Sequence, residues 1–133
     1  MFGSTPKPKI PTFNIKTFNN LEDFKKYVST DNDSKIILVD TGGFDSSLNR
    51  AVALYSDLVI TPVSDSYVEL QGLKTYEKVL QELSTAIGEP IVAHVLLNNV
   101  DPRRKNFSEL KDFINKSENF KTFETVINRR IDF

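Results

Sequence analysis

Apolar positions along the chain switch between two periods. Leu21, Phe24, Tyr27 and Val28 recur at helical spacing behind Asn20, a helix N-cap residue with Asp23 three positions on. Leu48, Ala51, Val52 and Tyr55 repeat that spacing behind Asp45 and Ser46. Leu73, Tyr76, Leu80, Leu83 and Ile87 mark the inner face of a long helix. It starts at a Ser66/Glu69 capping box, and Gly88 and Pro90 stop it. A short helix beginning at Asn106 with Glu109 carries Leu110, Phe113 and Ile114. Between these lie strand-like runs at 35–40, 57–62, 91–97 and 123–127, with a weakly alternating stretch at 12–17. Strands alternating with helices predict an α/β fold: a doubly wound, mostly parallel sheet with flanking helices.

The run Ile36-Ile37-Leu38-Val39 leads straight into Asp40-Thr41-Gly42-Gly43. Four consecutive apolar residues read as a parallel strand buried on both faces, and the glycines as a tight turn at its carboxyl end. In open α/β sheets ligands bind at those ends. An acid there suits a water held by Mg²⁺, and glycines let backbone N–H groups approach a phosphate. The run therefore proposes a nucleotide-phosphate site.

Composition narrows the class. The chain has 133 residues, enough for one core, and 39% hydrophobic with 26% charged content predicts a packed domain rather than disorder. The expected organisation is a flexible arm over residues 1–11, where Pro6, Pro8 and Pro11 cluster, and a single α/β domain over 12–133. Cysteine is absent, which removes disulfides, thiolate metal sites and thiol catalysis and fits a reducing compartment. No apolar run approaches the roughly 20 residues that span a bilayer, so a membrane partner is not expected. A net charge of −1 disfavours DNA binding over the whole surface. His94 sits alone among apolar residues and reads as a satisfied core histidine, with no partner for a Ser-His-Asp set.

Three segments, in order, resemble the ParA/MinD family of partition ATPases, the deviant-Walker branch of P-loop NTPases. Residues 36–46 look like its Walker B strand and switch turn, commonly Asp-Thr-Pro-Gly. Ser56-Asp57-Leu58-Val59-Ile60-Thr61-Pro62-Val63-Ser64 and Val95-Leu96-Leu97-Asn98-Asn99-Val100-Asp101-Pro102-Arg103 are similar to its next two strand ends. Ile127, Arg130 and Phe133 resemble a fourth segment. The resemblance implies ATP and Mg²⁺ as cofactors, plasmid or chromosome partition, homodimerisation, a ParB-like centromere-binding partner, non-specific DNA contact and a cytoplasmic location, nucleoid-associated where DNA is bound. It implies Asp40 as the catalytic acid that orients a Mg²⁺-bound water. Thr41, Gly42 and Gly43 would lie at the γ-phosphate, and Asn98 and Pro62 at the nucleotide. Phe44 stands where a second glycine is common. Arg103, Arg104 and Lys105, with Arg129 and Arg130, are the candidate DNA contacts.

The family's phosphate loop, Lys-Gly-Gly-x-Gly-Lys-[Ser/Thr], is absent from these 133 residues. The chain thus reads as the central and C-terminal part of such an ATPase, either a fragment or a naturally short relative, incomplete at both ends and inactive alone. A non-enzymatic module that pairs with an intact partner is the alternative. In this branch the loop strand lies inside the sheet, so its absence would leave strand edges unpaired and open to pairing.

Overall fold

The computed structural model describes residues 9–10, 12–30, 35–42, 45–104 and 106–130. Its element order is α1 (Leu21–Ser29), α2 (Ser47–Tyr55), β1 (Val59–Val63), α3 (Tyr67–Ile87), β2 (Ala93–Val100), α4 (Ser108–Lys116) and β3 (Phe120–Asn128). The strands form one parallel sheet in the order β1-β2-β3, Val59 opposite Ala93 and Ala93 opposite Phe120. Parallel neighbours joined by helices are the βαβ arrangement that the alternating pattern predicts.

Helix starts follow local chemistry. Asn20 accepts a 2.9 Å hydrogen bond from the Asp23 N–H, Ser46 one from Asn49 and Ser66 one from Glu69. Gly88 ends α3 at φ 79°, a left-handed conformation that glycine adopts without the Cβ penalty. The start of α4 differs from the expectation. Phe107 occupies the cap, and Asn106 accepts instead from the Ser108 N–H at 3.0 Å.

The core lies between one face of the sheet and α3 and α4. Val63, Ala93, Val95, Leu97 and Phe120 from the sheet meet Leu70, Leu73, Leu80, Leu110 and Ile114 from the helices. Along β2, buried and half-buried positions alternate, so His94 and Leu96 look away from this core. Tyr76 packs on the cluster, and burial pushes its hydroxyl pKa up. The end of the predicted inner stripe, Ile87, is 46% exposed because the helix outruns the sheet there. Among the described residues Asn119 is a buried polar side chain. Its amide donates to Ser84 Oγ at 3.1 Å and to the Ile91 carbonyl at 3.0 Å, tying the end of α3 to the entry of β2 and β3.

Four expectations are corrected. Residues 35–40 form no strand: Ile36 and Leu38 are 99% and 91% exposed, Ile37 and Val39 37% each, and no ladder partner lies beside them among the described residues. A parallel strand needs a neighbour to satisfy its backbone, and this run has none. Residues 12–17 are also not a strand, and Phe13 and Ile15 stand in solvent. Pro62 lies within β1 rather than ending it, which an edge strand tolerates because a proline there need not donate to a neighbour. His94 is not a satisfied core residue. Its Nδ1 is shielded without a hydrogen-bond partner among the described residues, and its ring lies 5.6 Å from that of Phe123.

Leu80 is fully buried, so Leu80→Ala should cost about 2–5 kcal/mol in urea unfolding. Leu38→Ala should stay within about 0.5 kcal/mol when measured at dilution, because the side chain is already in water.

Candidate functional site

Asp40, Thr41 and Gly42 are exposed, between the unpaired run and α2. This turn is anchored to α2, since the Asn49 side-chain amide donates to the Gly42 carbonyl at 2.9 Å. Beyond the turn, Asp45 accepts two 2.8 Å bonds from Arg50, whose third bond reaches Glu82 on α3 at 2.8 Å. The Arg50 hydrogen bonds hold the Asp45 carboxyl below its ordinary range, and the two acids hold the guanidinium protonated. Gly43, Phe44 and Lys105 lie outside the described residues.

Pro62 is exposed in β1, and Asn98 half-buried near the end of β2. The pairing of β2 with β3 shifts between Leu97 and Val100, and Asn99 takes φ 57°, a left-handed value that asparagine tolerates better than most residues. This irregularity delivers Asp101 to the sheet edge. Asp101 accepts from Arg103 through its N–H, Nε and Nη2 at 2.9, 3.1 and 2.9 Å, and Arg129 Nη2 lies 3.7 Å away. These contacts, the Arg103 side chain first, lower the Asp101 pKa to about 2. Arg104 turns the other way, to the Asp65 carbonyl at 2.9 Å and its carboxylate at 3.4 Å. Thus three of the five candidate DNA-contacting cations face acids of their own chain. Asp101 and the Arg104–Asp65 pair are what sequence reasoning missed as an organising centre. The signal was the Asp-Pro-Arg-Arg run, whose short spacing lets an acid fold back on the next arginine.

A cavity of about 320 Å³ opens at the same edge, between the starts of α3 and α4. Asp65, Ser66, Tyr67, Arg104, Asn106 and Phe107 contribute to its walls. Asp40, Pro62 and Asn98 do not line it. Among the described residues no three His, Asp or Glu side chains converge as a direct metal cluster, and no helix is long and apolar enough to cross a membrane.

The three-stranded parallel sheet with flanking helices among the described residues is consistent with a partial P-loop NTPase-like α/β fold. A family model described as ATPase MipZ matches residues 7–114, and the chain belongs to that family of ParA-like ATPases in chromosome segregation. Members of the intact family use nucleotide and Mg²⁺, dimerise and interact with partition proteins. No curated protein and no solved structure matches the chain.

The lowered Asp101 pKa has a defined sign. The folded carboxyl titrates near 2 against an ordinary 3.8, so its stabilisation is present above about pH 4 and disappears as pH falls toward 2. Asp101→Asn should lower the unfolding midpoint at neutral pH. That difference should shrink between about pH 4 and 2 in a pH series of urea melts.

Proposed function

We propose that this chain carries the metal-facing and base-facing side of a ParA-type Mg²⁺–ATP site, and that the 133 residues alone do not turn ATP over. The observation that carries the reading is the Asp40-Thr41-Gly42 turn, anchored to α2 by Asn49 at the end of a strand-like run. Asp40 suits an outer-shell role, because Mg²⁺ keeps several waters and one carboxylate can orient such a water. Thr41 offers a hydroxyl, and the open space beside Gly42 would let its amide approach a γ-phosphate. Asn98 offers both a donor and an acceptor to a base edge, and Pro62 a flat apolar contact. The fit is one-sided. An amide cradle and a lysine for the β- and γ-phosphates are not among these residues, and loss of such charge partners costs orders of magnitude in rate.

In the same reading the protein is a homodimer that works with a ParB-like protein in plasmid or chromosome partition. DNA contact through Arg103, Arg104, Lys105, Arg129 and Arg130 is weak, because Asp101 and Asp65 offset much of that charge.

Titration with a fluorescent ATP analogue, with and without Mg²⁺, should give a Kd weaker than about 1 mM. Phosphate release should stay at background. Micromolar, Mg²⁺-dependent binding that Asp40→Ala abolishes would overturn the claim of inactivity and keep the site. Micromolar binding indifferent to Asp40→Ala would overturn both.

A further inference from the structure

Among the described residues an extended run lacks a ladder partner and one sheet edge lacks a strand beside it. Ile36–Val39 alternates in exposure, 99, 37, 91 and 37%, which is the signature of an extended run with one side toward the protein and no neighbour in its own plane. Among the described residues β1 pairs with β2 on one side only, and Leu58 and Ile60 stand 53% and 47% exposed beside its other edge. Within one copy the run does not reach that edge. Asn49 ties its end to α2 through the Gly42 carbonyl, and Arg50 ties α2 to α3 through Glu82.

The two sequences fit each other in one direction. Laid parallel, Lys35-Ile36-Ile37-Leu38-Val39-Asp40 matches Asp57-Leu58-Val59-Ile60-Thr61-Pro62 position by position. Lys35 then meets Asp57, four apolar residues face Leu58 to Thr61, and Asp40 falls opposite Pro62, which offers no N–H. The antiparallel alignment instead sets Asp40 against Asp57, two like charges. Charge and apolar register therefore select the parallel joint.

We propose that two copies of this chain exchange these runs, each adding its residues 35–40 as a parallel strand to the free edge of the other's β1. Exchange about a two-fold axis makes two identical joints and closes, so it ends at a dimer rather than a fibre. Each joint removes Ile36 and Leu38 from water and turns the three-stranded sheet of each copy into a four-stranded one. The joint needs no nucleotide, so it stands or falls separately from the ATP site.

The absence of native cysteine makes the test direct. Leu38→Cys and Ile60→Cys are made in separate, differently tagged chains, mixed without nucleotide and oxidised. The expected product is a disulfide-linked pair carrying both tags, at the summed mass of two 15.1 kDa chains and their tags. Light scattering of the unmodified chain should show that mass without oxidation. Lys35→Glu should weaken the dimer about tenfold over its two joints, and adding Asp57→Lys in the same chain should restore it. Leu38 is exposed in the single copy, so Leu38→Asp should leave helix content unchanged while abolishing the dimer. A monomer at about 100 µM, well above the Kd of a weak protein pair, would overturn the proposal. So would a dimer without the mixed disulfide, or a Leu38→Cys/Ile60→Cys chain that closes on itself as a monomer.

Discussion

The sheet and the core beneath α3 and α4 depend on β2 having a partner on each edge and a helix layer over one face. Ala93, Val95, Leu97 and Val100 are at most 1% exposed, and Leu80 of α3 is closed off against them. β1 and β3 are each held through β2, and Asn119 locks the point where β2, β3 and the end of α3 converge. Removing apolar surface from water supplies the drive, but backbone pairing decides which apolar runs can use it. Ile36–Val39 is as apolar as β2 and remains wet because no ladder receives it.

That contrast explains what was legible in the sequence. The helices were readable because their information is local. Asn20, Ser46 and Ser66 each bond a backbone N–H three residues on, and α3 shows its stripe over 21 residues. β2 was readable because its apolar run is long and lies between two helices. The run at 35–40 was misread because its composition reports the environment that it suits, not whether a neighbour is there. The alternation that would have exposed the difference appears only in accessibility, since all four side chains are apolar. His94 was misread for a related reason: sequence shows its apolar neighbours but not which face of the strand it takes.

The candidate site was legible as chemistry. Asp40, Thr41 and Gly42 end a strand-like run before a helix, as their order suggests, while Pro62 lies within β1 and Asn98 near the end of β2. The basic residues after β2 were legible as charge, but their acids were not assigned to them. Asp101 pairs with Arg103 and Arg129 and Asp65 pairs with Arg104, so exposed ion pairs offset part of the positive charge at the strand ends. Exposed pairs of this kind fix side-chain positions more than they add stability. Membership of the MipZ ATPase family accounts for the order of the strand ends. The sheet around β2 accounts for why only part of that arrangement is assembled here.

Amide hydrogen exchange read by peptide mass tests this account most directly. At sub-micromolar concentration the β2 peptide should exchange slowest, and peptides covering 35–40 at rates near those of an unfolded chain. Raising the concentration should slow exchange at 35–40 and β1 while leaving β3 unchanged. Slow exchange at 35–40 at the lowest concentration, equal to that of β2, would contradict the claim that this run lacks a strand partner in the single copy.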